Sequence, residues 1–184
     1  MTERSGAFHQ YHQNETWRDL QGRKLTISCL DTPIDLGADT VDEEEIRFLS
    51  NAAVTVRAPY ISVCALTDSE DNVRKHLEFI LPLMKEKKIC LLIKTTGIYA
   101  NTERLRAFLD SYACDELAAL WDMHHPYRDF NENPDTTIRN LGGYVRHVHL
   151  RDSDDNGAYN LIGEGSLPVR EMMRALSSID YSGF

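Results

Sequence analysis

The sequence predicts an α/β protein with a parallel sheet, organised as a partial (β/α) barrel of the TIM type: about five to six βα units, without its first and last strands. Two observations carry this. Short apolar runs recur at a near-constant interval, and stretches with helical periodicity separate them. A third narrows the choice: no Gly-x-Gly-x-x-Gly follows the first run and no Walker-type loop occurs, so an open nucleotide-binding sheet is disfavoured against a barrel.

The runs are residues 25–30 (LTISCL), 60–66 (YISVCAL), 89–93 (ICLLI), 117–121 (LAALW) and 144–150 (YVRHVHL). Each is short, rich in β-branched or large apolar residues and bounded by polar segments, as a buried strand requires. Their starts are separated by 35, 29, 28 and 27 residues, the length that a strand, loop, helix and return loop consume.

Between them, Val73, Leu77, Ile80, Leu81 and Met84 follow helical steps and predict one apolar face. Leu105, Phe108, Leu109 and Tyr112 do the same in the next unit. Pro168 suits a first helical turn, with Val169, Met172, Met173 and Leu176 as the inward stripe. A complete barrel takes roughly 250 residues. This chain has 184 and stops at Phe184, as if on another strand, so an incomplete barrel is expected. Open sheet edges suggest self-association or a missing remainder, the chain then being a fragment of a longer enzyme. Residues 1–20 read as a polar N-terminal segment and 21–184 as the barrel domain.

A net charge of −9 argues against a nucleic-acid backbone as partner, since such binding rests on clustered Lys and Arg. The four cysteines, Cys29, Cys64, Cys90 and Cys114, form no Cys-x-x-Cys pair. Three of them lie in the apolar runs, which suits reduced thiols in a cytoplasmic protein. No run approaches the length of a membrane span, and the polar N-terminus has no signal-peptide core.

Barrel active sites are built at the C-terminal ends of the strands. Lys94, Asp122, His147 and His149 fall there. Asp122 and His149, on adjacent strand ends, offer a carboxylate and an imidazole to a divalent ion such as Mn²⁺, Co²⁺, Mg²⁺ or Zn²⁺. The plainer alternative for Asp122 is a turn or helix N-cap. Alternation puts His147 and His149 on one face, with His149 nearer the mouth. The pair Gly163 and Gly165 before the last helix suggests backbone N–H groups open to an anion, or simply a tight turn. The acidic run 152–155 reads as solvated loop.

Three segments together, Trp-Asp-Met-His-His-Pro at 121–126, His-Val-His-Leu-Arg-Asp at 147–152 and Gly-Glu-Gly-Ser-Leu-Pro at 163–168, resemble signatures of the sugar phosphate isomerase/epimerase family. That family shares its barrel with xylose isomerase-like proteins and endonuclease IV. The resemblance runs from about residue 25 to the end. It implies a divalent metal held in the order Glu, Asp, His, Glu, with Asp122 and His149 in the middle two places and His125 contacting substrate or a further metal. The first Glu place falls on Lys94, and the last is not in the chain. Lys94 is therefore expected either to replace the metal's charge by pairing with Asp122, leaving the metal weakened or lost, or to reach solvent at the rim.

The function so implied is isomerisation or epimerisation of a small carbohydrate or sugar phosphate, by proton transfer alpha to a carbonyl through a metal-bound enediolate. His125 and Lys94 are the catalytic candidates; His125, Arg151 and Glu164 are candidate substrate contacts; Asp122 and His149 are the candidate metal ligands. The alternative is a catalytically impaired sugar-binding or assembly domain. An endonuclease IV-like nuclease is disfavoured, because its additional histidines are missing from the 160s.

Overall fold

Five parallel strands in the order β1-β2-β3-β4-β5 carry the rest of the chain, which a computed structural model describes over residues 12–184. They are β1 (Cys29–Asp35), β2 (Tyr60–Cys64), β3 (Cys90–Lys94), β4 (Leu117–Asp122) and β5 (Val145–His149). Helices alternate with them: α1 (Gln13–Gly22), α2 (Glu43–Val56), α3 (Glu70–Lys87), α4 (Thr102–Tyr112), α5 (His124–Phe130), α6 (Pro134–Leu141) and α7 (Val169–Ser177). A short hairpin, β6 (Asp152–Ser153) with β7 (Tyr159–Asn160), follows β5. The partial barrel is thus present, with β1 and β5 as its edges.

Local chemistry sets the helix starts. The side chains of Asp42, Ser69, Asn101 and Asn133 each accept a backbone N–H three residues on, at the first turns of α2, α3, α4 and α6. Glu43, Glu44 and Glu45 add negative charge at the positive end of α2. Pro168 stands at the N-cap of α7, one position before the turn it was expected to begin.

The first strand is displaced from its expected place. Residues 25–30 were the stronger strand pattern, but Leu25 donates its N–H to the Leu20 carbonyl and finishes the turn after α1, leaving it 53% exposed. The strand proper is CLDTPID, whose Pro33 has no N–H and is tolerated because β1 is an edge. The pairing with β2 slips between Asp31 and Asp35. The other four strands lie within two residues of their expected ends. The segment expected to be merely polar at 1–20 lies outside the described residues up to 11; beyond that it enters α1, whose Trp17 packs on the main core.

The strands' two faces have different tasks. Leu30, Ile61, Val63, Leu91, Ile93, Leu117, Ala119 and Trp121 face the helices and join one continuous core with Leu77, Ile80, Met84, Leu105 and Phe108. The inner face of the half-barrel holds a small apolar floor of Leu92, Ala118 and Leu120, with Cys29, Tyr60 and Cys90 against it. Above that floor the inner face turns polar. At the β5 edge, Val148 N–H donates to the Phe184 carbonyl at 3.1 Å, so the chain's final residues run beside that strand.

Candidate active site

Register determines which side chains share the inner face. Asp31 pairs with Ser62, Ser62 with Leu92, Leu92 with Ala118, Lys94 with Leu120, Leu120 with His147 and Asp122 with His149. Because side chains alternate along a strand and neighbours in register point the same way, Asp31, Ser62, Lys94, Asp122, His147 and His149 all face inward. Asp122 and His149 stand side by side at the C-terminal ends of β4 and β5.

The charges on this face are matched in pairs. The expected contact between Lys94 and Asp122 is not made. Lys94 Nζ donates instead to Asp31 Oδ1 at 2.8 Å and to the Thr32 carbonyl at 2.8 Å. Nor does Lys94 reach solvent at the rim: its side chain is 13% exposed. The physical reason is reach and competition. A lysine on β3 can span β2, about 10 Å for two strand spacings, and Asp122 is already taken.

Asp122 is fully buried, and Arg151, from the loop after β5, donates to its Oδ2. Its Oδ1 accepts the backbone N–H of His124 at 3.2 Å. Thr95 clamps the same residue's backbone, donating to the Asp122 carbonyl and accepting its N–H. Burial works against the Arg151 charge, but the hydrogen bond and charge of Asp122 prevail and hold its pKa above the ordinary arginine value. Burial likewise opposes the Asp31 carboxylate, yet hydrogen bonds from Lys94 and Ser62 outweigh it and keep its pKa below the ordinary value.

The imidazoles are divided. His147 is buried and stacks edge-on to His149, ring centroids 5.4 Å apart. Burial, and then the neighbouring His149, depress its pKa and favour the neutral ring. His124, also depressed by burial first, places Nε2 3.1 Å from Ser153 Oγ. The Nδ1 atoms of His124 and His147 are buried without a hydrogen-bond partner among the described residues. His125, expected to contact substrate, turns along α5 to pair with Asp129 at 2.9 Å.

The loop with the paired glycines takes the plainer of its two expected roles, a tight turn in which Glu164 N–H donates to the Leu161 carbonyl at 2.9 Å. Gly163 and Gly165 N–H groups are not open to a phosphate: they donate to Asp152 Oδ2 at 2.8 and 3.0 Å, while Ser153 and Leu167 N–H donate to Oδ1. Asp152 is therefore no solvated loop residue. It is 1% exposed, and four backbone donors replace its water. A Cβ on Gly165 would collide with Asp152 Oδ1, which explains the glycine there. Glu164 stays exposed between them. The hairpin so fixed carries Tyr159, whose hydroxyl accepts from Arg151 at 3.3 Å and whose ring lies 5.7 Å from the guanidinium carbon.

Asp31 was missed because the expected first strand ended at residue 30, and Ser62 because a serine inside an apolar strand run carries no signal of its own. His124, Ser153 and Arg128 were missed too. Arg128 donates to Ser153 Oγ and its carbonyl, joining α5 to the hairpin, and no spacing rule links those segments.

These residues do not fit a divalent metal. Among the described residues no three His, Cys, Asp or Glu side chains gather as a metal-holding group. Both oxygens of Asp122 are in use, and the place of a carboxylate on β3 holds an ammonium group. A divalent ion roughly 4 Å from one such cation meets a repulsion of about 8 kcal/mol at an effective dielectric near 20.

The chain belongs to the xylose isomerase-like TIM barrel family, whose model matches residues 4–184. It superposes on a D-tagatose 3-epimerase-like protein with a TM-score of 0.79 at 16% identity, covering 96% of this chain and 75% of that one. The 3-keto-D-glucoside 4-epimerase YcjR of E. coli gives 0.77 at 14%, covering 95% and 75%. Endonuclease IV from Thermus thermophilus gives 0.64 at 21%, covering 89% and 69%. No curated protein matches the chain in sequence. Among the described residues no helix is long and apolar enough to cross a membrane.

Proposed function

We propose that this chain binds a small, uncharged carbohydrate over the C-terminal ends of β3, β4 and β5, as a domain of the isomerase/epimerase type that lacks metal-dependent turnover. One observation carries the reading: strand register turns Asp31, Lys94, Asp122 and His149 to the same inner face, and each carboxylate there has its own cation, Lys94 for Asp31 and Arg151 for Asp122. Sugar hydroxyls both donate and accept, so they suit the half-exposed Asp31 carboxylate beside the Lys94 ammonium and the Arg151 guanidinium. Tyr159 next to Arg151 supplies an aromatic face on the rim. Each cation on this face already faces a carboxylate, which leaves little net positive charge for a phosphate, so the free sugar is favoured over its phosphate. The acidic balance of the chain also supports a small carbohydrate over a nucleic-acid strand.

Saturation-transfer NMR with a panel of aldoses, ketoses and their phosphates tests this. The expected result is binding of free sugars that Asp31→Asn and Lys94→Met weaken. Binding confined to phosphates, or unaffected by both substitutions, would overturn it.

A second reading, isomerase or epimerase turnover, is favoured by the inward imidazole of His149 beside Asp122. In it Lys94 and Arg151 would polarise the substrate's oxygen and His149 would carry the proton. Incubation of a bound sugar in D₂O separates the two: deuterium entering the carbon next to the carbonyl means turnover, and its absence with binding retained means recognition alone.

A further inference from the structure

Two carboxylates belong to this inner face, and each is met by a cation from a separate element: Asp31 by Lys94 from across β2, Asp122 by Arg151 from the loop after β5. We propose that Lys94 and Arg151 are built-in substitutes for a divalent cation, so that the positive charge of this mouth is covalently part of the chain and the site excludes metal. This concerns the charges of the mouth and stands whether or not a sugar is the ligand.

Three features make the substitution stable. Asp122 has no exposed surface and each of its oxygens already accepts a hydrogen bond, so an incoming ion must open a buried carboxylate that is already paired with a guanidinium. Arg151 is held from the other side by the Tyr159 hydroxyl and ring, and the hairpin bearing Tyr159 is tied down through Asp152. Lys94 is shielded, and the Thr32 carbonyl takes a second of its three N–H donors. The mouth gives each carboxylate a fixed partner within the chain, where a metal site would leave it free to coordinate.

The test is metal uptake rather than activity. Wild-type protein incubated with Mn²⁺ or Zn²⁺ and dialysed is expected to retain no metal above the buffer blank by mass spectrometry. Its melting midpoint should not move when either ion is added. The doubly substituted protein Lys94→Glu, Arg151→Gln is expected to take up one ion and to melt higher in its presence. Two results would overturn the inference: one equivalent retained by wild type and lost in Asp122→Asn, or a folded double variant that takes no more metal than wild type. If the double variant does not fold, the wild-type and Asp122→Asn measurements decide alone.

Discussion

Lys94 Nζ stands 2.8 Å from Asp31 Oδ1, and the carboxylate on the next strand to its other side, Asp122, is left to Arg151. The inner face therefore holds two separate ion pairs rather than one shared centre, and the pairs differ in what their loss exposes.

Replacing Arg151 by Ala strands a carboxylate with no exposed surface. Because the Arg151 side chain itself is 42% exposed, water compensates in part. The expected loss is roughly 2–3 kcal/mol, between a charged hydrogen bond and a fully buried broken pair. Urea denaturation measures it. In the double variant with Asp122→Asn most of that loss should be recovered, since no charge remains to be stranded.

Lys94→Met acts on a more open partner, because the Asp31 side chain is 54% exposed. Stability should fall by less than for Arg151→Ala, by about 0.5–1.5 kcal/mol. Sugar binding should weaken by roughly tenfold, the worth of one hydrogen bond. Titration calorimetry with a ligand found by NMR checks the second figure.

Gly165→Ala places a methyl group against the Asp152 carboxylate, where there is no room for it. The loop must move and give up some of its four hydrogen bonds to that carboxylate. We expect about 2 kcal/mol or more of destabilisation and faster amide exchange at Gly163 and Leu167. Unchanged exchange at both would show that Asp152 does not hold the loop.

Acid should unfold the protein through Asp35 and Asp152. Burial alone would raise each pKa, but hydrogen bonds prevail: the Thr67 hydroxyl with backbone N–H groups at Asp35, backbone N–H groups alone at Asp152. Both carboxyls are held below their ordinary value of 3.8. A depressed folded value means the stabilisation is fully present above the unfolded value and is lost as pH falls through the folded one. Melting midpoints should therefore drop below about pH 4, and Asp152→Asn should flatten that drop.

Thiol chemistry offers an independent check on the inner floor. Burial pushes Cys29 up to about 11 and Cys90 up to about 12. Iodoacetamide at about pH 8 should modify both far more slowly in the native protein than in urea, because the thiolate is the reacting form.

Four of the five strands, their spacing and the helices after β2, β3 and the hairpin were legible in the sequence, because apolar periodicity is itself the cause of those elements. Asp122 and His149 could be placed on adjacent strand ends for the same reason: alternation and register follow from strand order alone. The first strand was not legible. Leu25 and Ile27 have the better β pattern, yet closing the turn after α1 took Leu25, and an edge position made CLDTPID acceptable with its proline. Ion pairing lay beyond sequence altogether. Lys94 could equally have answered Asp122, and only the three-dimensional arrangement brings Arg151 back from the loop to occupy that carboxylate first. Gly163 and Gly165 show the same division. Their spacing announces a tight turn or N–H donors open to an anion, but that those donors serve Asp152 depends on the chain folding back over 11 and 13 residues. Local periodicity specified the scaffold because it acts between near neighbours; partner choice among charges depends on competing distances, which exist only once the chain has folded.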